Sequence, residues 1–456
     1  MKNTETNALG TEKISKLFWK LATPAIAAQV INLLYNLVDR MYIGHMEPVE
    51  TVGRLALTGV GLCLPLITII SAFAALFGTG AAPLASIRLG RGDKEGAEQV
   101  LGNSVTALVT LSVILTAVIL LWTEEILYAF GASPDTIAYA VDYMRIYAIG
   151  TLFVQLTLGL NPFISGQGFS KISMLTVLIG AVTNIILDPI FIYGLNMGVK
   201  GAATATALSQ CLSMLWSVKF LTGKKTTICI KKRYLKPNRK IIFSSMALGV
   251  SPFIMQSTES LVAICFNTSL LKYGGDMAVG AMTILTSSMQ FCLLPLQGLA
   301  QGAQPIISYN FGAKKPDRVR GAFRILLISS LTYTSLYWVG LQFFPEVFVK
   351  LFNNDPDLVV FASRALRIYT AGVLIFGAQV ACQNTFMALG NAKNSLFLAL
   401  LRKIILLIPL IYILPNFFVD KTTAVFIAEP IADILAATTT VIMFTITFKK
   451  TMKSIS

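Results

Sequence analysis

"GTGAAPLASIRLGRGD" at residues 78–93 returns as "AQGAQPIISYNFGAKKPD" at 300–317. In both places a small-residue run containing a proline leads into a charged turn, and Pro83 and Pro305 stand 222 positions apart. The same offset joins "SPDTIAYAVDYMRIYAIG" (133–150) to "DPDLVVFASRALRIYTAG" (355–372), with Arg145 answering Arg367 and Gly150 answering Gly372. Gly168 and Gly390, and Lys171 and Lys393, keep it too. Nearer the start, "TPAI" at 23 answers "SPFI" at 251, and Pro24 lies 228 positions before Pro252. The first half therefore carries six extra residues between those marks, expected in the loop "HMEPVETVGR" (45–54).

The repeated unit is apolar. Of the 456 residues 55% are hydrophobic and 13% charged, with a mean hydropathy of +0.70. A soluble chain of this length needs more charge to cover its surface. Apolar runs of bilayer length recur throughout, and a barrel would show short alternating segments instead. The expected fold is an all-α membrane protein of twelve spans, at about 17–44, 53–85, 97–122, 136–161, 172–194, 201–221, 241–271, 277–308, 321–344, 358–386, 395–415 and 422–447.

The net charge of +15 lies mostly between spans, so it speaks of membrane topology rather than nucleic acid. "RLGRGDK" follows span 2, "GKKTTICIKKRYLKPNRK" span 6, "GAKKPDRVR" span 8, and "FKKTMK" closes the chain. The alternate gaps, "TEEILYAFGASPD", "YGGD" and "NNDPD", are neutral or acidic. Both termini are therefore expected in the cytoplasm of a cell whose plasma membrane the chain crosses many times. Six spans per half make the repeat parallel, with lobes at 1–221 and 241–456 joined by the basic linker 222–240. Such a pair suits a secondary transporter working by alternating access, with no partner chain required.

No phosphate-cradling G-x-x-x-x-G-K-[ST] occurs, "GQGFSK" (166–171) lacks the third glycine, and the single histidine, His45, rules out H-E-x-x-H. The six cysteines are scattered without metal or disulfide spacing. The polar start "MKNTETNALGTEKISK" has no cleavage signal, so the first span is expected to be retained. No cofactor and no enzymatic acid–base pair is expected. An ion gradient remains as the energy source, and that requires ionisable groups inside the membrane.

Span 1 supplies them in "NLLYNLVDR" (32–40). Asn32, Tyr35, Asn36 and Asp39 fall on one helical face, extended by Gln29, and Leu33, Leu34, Leu37 and Met41 fall opposite. Such a stripe faces protein or water, and for the asparagines simple helix–helix bonding suffices. Asp39 is different, because a carboxylate in hydrocarbon costs several kcal/mol unless paired or protonated. Span 5 sets Asn184 and Asp188 at i and i+4 before Pro189, where the helix should bend and free a carbonyl. Span 6 opens with small residues plus Thr204 and Thr206. Counting from the span ends puts Asp39, Asp188 and Thr206 at one level, about 8–9 Å inside the outer rim. Two carboxylates, an amide and a hydroxyl there make an oxygen-only cation site suited to Na⁺ or H⁺.

The second half has Asn267 where Asp39 stands and Leu410 where Asp188 stands. Its own acids, Glu259 in span 7 and Glu429 and Asp433 in span 12, either draw cationic substrate or are structural, Asp433 then pairing with a base. Asp142 and Arg145 are expected to pair with each other, and Arg402 and Lys403 to snorkel towards the cytoplasm.

"TPAIAAQVINLLYNLVDRMYIG", "GTGAAPLASIRLGRGD", "NIILDPIFIYGLNMGVKGAATATALSQ" and "GLAQGAQPIISYNFGAKKPDRVR" resemble the multidrug and toxic compound extrusion (MATE) family over nearly the whole chain. The resemblance implies a twelve-helix, two-lobed exporter of drugs and organic cations driven by H⁺ or Na⁺. The family's first-span aspartate matches Asp39. In the DinF-like bacterial branch the fifth-span pair matches Asn184 and Asp188, and a sixth-span threonine matches Thr206. A seventh-span glutamate of other branches corresponds to Glu259, although "MQSTESL" departs from their pattern. The first-span proline matches Pro24, where a bend could reshape a cavity lined by Gln29, Asn32, Tyr35, Asn36, Glu259 and Asn267. A lipid-linked oligosaccharide flippase of the same superfamily is the alternative, and it would want a cavity richer in Arg and Lys. A membrane transferase would want an acidic Mg²⁺ motif, where this chain's cytoplasmic loops are basic.

Overall fold

Hydrocarbon offers a backbone no water to bond, so each apolar run must close its own hydrogen bonds as a helix. The computed structural model, which describes residues 4–46 and 52–455, does this in every run. Lobe 1 consists of Ile14–Gly44, Arg54–Gly90, Lys94–Leu121, Ile137–Gly166, Ser170–Pro189 and Val199–Thr222. In lobe 2, Arg239–Gly312 makes spans 7 and 8, followed by Pro316–Phe343. Span 10 is a pair, Pro356–Tyr369 and Val373–Ala388, bent by 48°. Span 11 covers Ala392–Asn416, and span 12 is Lys421–Ile455. Half of the loop 45–54, expected to hold the six extra residues, lies outside the described residues, at 47–51.

The expected gap between spans 7 and 8 is a tight break: two helices meet at Gly275 (φ 64°, ψ −161°), a conformation essentially reserved for glycine. The repeat is visible in the backbone as well. Gly168 and its counterpart Gly390 both take positive φ, at 94° and 75°, and so do Gly92 and its counterpart Lys314, at 78° and 54°.

The two lobes lock together at the end that carries the termini. Leu17, Phe18, Leu21 and Ala22 of span 1 belong to the core of lobe 2, while Ile241 of span 7 belongs to a core of lobe 1. A methyl group on Gly302 would stand 2.5 Å from the Ala22 Cα, and one on Gly298 2.6 Å from the Ile26 Cα. Phe73 and Phe253 cross the seam with ring centroids 4.8 Å apart. The N-terminal helix Thr4–Thr11 is docked there too: the Leu9 carbonyl accepts from Asn310 and Arg318, and the Gly10 carbonyl from Lys315.

The linker is also fastened down. Gln167 Oε1 accepts from the Thr226 hydroxyl and from the Thr227 and Ile228 amides. Buried Glu98 pairs with Lys231 at 2.5 Å, and Asn103 Oδ1 accepts from the Asn238 amide at 2.6 Å.

Towards the opposite end the facing surfaces separate. Asn267 lies five turns beyond Gly249 on the same side of span 7, yet Gly249 is jammed against Leu76 of span 2 and Asn267 is exposed. On span 1, Asn32 and Asn36 are exposed as well. A cleft between the lobes therefore opens away from the termini.

Candidate functional site

Span 5 builds the centre of the site. Its α-helix ends at Pro189, which cannot donate a backbone hydrogen bond, and the chain continues as a wider turn at Ile190–Gly194. Asp188 and Asn184, one turn apart, are both buried. Asn184 Nδ2 donates to Asp188 Oδ1 at 3.1 Å and reaches Thr206 Oγ1 on span 6 at 3.4 Å. Asp39, half-buried on span 1, neighbours Asp188. All four residues placed together from the sequence thus meet.

The site has more acceptors than donors. Asp39 Oδ1, Asp188 Oδ2 and Asn184 Oδ1 are buried without a hydrogen-bond partner. Among the described residues no Lys or Arg makes an ion pair with either carboxylate. Three orphaned oxygens on neighbouring residues suit a hard cation or a shared proton.

Other expected residues divide. Tyr35 stands beside both carboxylates, and Gln29 is half-buried further along the stripe. Asn36 donates to the Asn32 carbonyl at 2.6 Å, and Glu259 and Asn267 are exposed on span 7. Thr204 does not join, because its hydroxyl donates to the Lys200 carbonyl of its own helix at 2.7 Å. Pro24 is buried in span 1, where the helix passes from the core of lobe 2 into lobe 1.

Three pairings differ from expectation. Asp142 pairs with Lys200 at 3.4 Å and Arg145 with Glu124 at 3.3 Å, not with each other; the neighbouring helices offer partners that the i, i+3 spacing cannot foresee. Arg402 does not snorkel. It bridges Asp433 at 2.6 Å and Glu429 at 2.9 Å, and its guanidinium lies over the Phe376 ring. Nor does Lys403, which is buried, pairs with Glu259 and donates to the Met255 carbonyl. Span 11 winds as a wide turn over Leu401–Leu407, and the carboxylates inside lobe 2 outbid the interface for both charges. Asp433 thus meets a base, as its structural alternative expects, and Glu429 shares the same arginine.

Tyr143 of span 4 was not anticipated. It is buried and lies near Thr206 and Asp39. The available signal was its i, i+4 spacing to Tyr147, whose ring stacks on it with centroids 6.0 Å apart.

The MatE family model matches residues 24–190 and 252–413, one match per half, beginning at Pro24 and Pro252. The multidrug export protein MepA of Staphylococcus haemolyticus is 26% identical over 438 residues, covering 96% of this chain and 95% of that protein. MepA of Staphylococcus aureus is 26% identical, with coverage of 92% and 91%. In fold, the chain is similar to the crystal structure of MATE in the bent conformation, with a TM-score of 0.92, 24% identity and 99% of each chain covered. An outward-facing multidrug resistance MATE family transporter of the MOP superfamily gives a TM-score of 0.91 at 24% identity, with 98% of each chain covered. The fold in two parallel halves and the match of the family model to both of them make this chain a member of the MatE family.

Proposed function

We propose that this chain is a cation-coupled antiporter that exports drugs and organic cations across the cytoplasmic membrane by alternating access. It works as a monomer with both termini in the cytoplasm, requires no cofactor and catalyses no reaction. Lobes 1–221 and 241–456, joined through 222–240, are the moving bodies. The basic turns at the terminal face support that orientation, so the cleft opens outward. The export of drugs by the MepA relatives supports the cargo.

The observation that carries the reading is the uncompensated carboxylate pair Asp39 and Asp188 with its orphaned oxygens. Two facing carboxylates repel each other in a poorly hydrated site until a proton or Na⁺ joins them. Entry of that ion would draw the outer half of span 1 towards spans 5 and 6, with Pro24 as the hinge. Narrowing the cleft wall at Asn32, Tyr35 and Asn36 would then expel substrate. Free binding energy for a pyrophosphate, as the flippase alternative demands, is not on offer from Arg402 or Lys403, since carboxylates already hold both.

The test is efflux of a fluorescent cation from proteoliposomes, with pH and Na⁺ gradients imposed separately. One gradient should drive transport, and Asp39→Asn or Asp188→Asn should each reduce it about tenfold or more. Undiminished transport in both variants would sink the site assignment.

A further inference from the structure

We propose that lobe 2 binds one anionic phospholipid, from the leaflet at the terminal face, in a groove between spans 9, 10 and 12. The groove encloses about 610 Å³. Its floor is Ala378 and Cys382 of span 10, and its walls carry Leu327 and Leu331 of span 9 and Val441 and Phe444 of span 12. Arg320, Lys449 and Lys453 form its rim. From Arg320 to Leu331, or from Lys453 back to Val441, is about 17 Å along the helix. That is close to the depth of one leaflet. An apolar slot of leaflet depth beneath a cationic rim matches an acyl chain beneath a phosphate headgroup.

The internal repeat strengthens the assignment. In lobe 1 the corresponding place, between spans 3, 4 and 6, is already filled by the linker. Ile228 is buried there against Leu101 and Leu221, and Lys231 reaches back to Glu98. By the 222 offset Glu98 corresponds to Arg320, and Lys231 to Lys453. Lobe 1 thus has an acid at the rim to hold the chain's own lysine, and lobe 2 has a base at the same position. In lobe 2 span 12 continues as helix to Ile455, and no segment among the described residues crosses the groove. The rim includes one acid: Asp317, itself 92% exposed, pairs with Arg320 at 3.1 Å. Lys449 and Lys453 are exposed.

The experiment is native mass spectrometry of the purified full-length protein titrated with phosphatidylglycerol or with phosphatidylcholine of the same chains. The wild type should retain phosphatidylglycerol about tenfold better. The triple variant R320Q/K449Q/K453Q should lose that preference. A control with the same charge change on the linker, K224Q/K225Q/K232Q, should keep it. Thr445→Trp, which fills the groove and leaves the rim intact, should weaken both lipids. Equal loss in the two triple variants, no preference in the wild type, or full competition by free glycerol phosphate would overturn the proposal.

Discussion

Among the described residues, lobe 1 leaves Asp39 and Asp188 beside each other with no base in an ion pair with either, whereas lobe 2 sets Arg402 between Asp433 and Glu429 and Lys403 against Glu259. The same residue types meet opposite conditions, most plainly at the buried acids Asp188, Asp433 and Glu429. A buried carboxylate costs several kcal/mol of desolvation, repaid only by a counter-charge and hydrogen bonds. In lobe 2 the counter-charge is covalently part of the chain and cannot leave. In lobe 1 no such base is paired with either carboxylate, and the proposed coupling ion would supply the counter-charge from solution. On the function proposed above, residue type does not separate the acids of the two lobes; the origin of the counter-ion does.

Arg402→Gln should have the largest effect. It strands Asp433 and Glu429 in the interior and should cost about 3–5 kcal/mol, read as a lowered unfolding midpoint in detergent. Asp39→Asn and Asp188→Asn should leave that midpoint close to wild type, since no internal partner is lost. If they fall as far as Arg402→Gln, the contrast between the lobes breaks. Glu259→Gln sharpens it, because that carboxylate is 64% exposed and water already screens the pair. A loss of about 1 kcal/mol is expected, in the same unfolding assay.

The smallest effect belongs to an acid with free access to water. Asp420, ahead of span 12, accepts from the Thr423 hydroxyl at 2.6 Å and its amide at 3.1 Å. Those hydrogen bonds hold its carboxyl below the ordinary aspartate value. The folded state therefore binds that proton less tightly than the unfolded state does. The stabilisation is complete above the unfolded value and disappears as pH falls through the folded one. Asp420→Ala should cost about 0.5–1 kcal/mol at neutral pH, and its midpoint should converge with wild type in acid.

Much of this was legible in the chain itself. Span periodicity and the 222 offset follow from local rules, since a helix in lipid satisfies itself residue by residue. Asn184 and Asp188 share a face by spacing alone, and counting from the span ends brought Asp39 and Thr206 to them. Partners that meet only across helices were hidden. Arg402 with Asp433, Lys403 with Glu259, and Tyr143 with Thr206 depend on how spans rotate against one another, which hydropathy does not encode. The docking of "KRYL" onto span 3 was hidden for the same reason: a run of bases reads as solvated until its backbone is found bonded to Asn103 and Thr106.

That docking bears on how far the lobes can travel. A free tether the length of 222–240 would let two bodies wander about 25 Å apart. Here the strap is fastened as far as Asn238, whose amide is held by Asn103 and whose side chain caps span 7 through the Lys240 amide. Span 7 then begins at a fulcrum mounted on the other lobe. In the proposed alternating access, a body held that way would swing like a crank rather than drift.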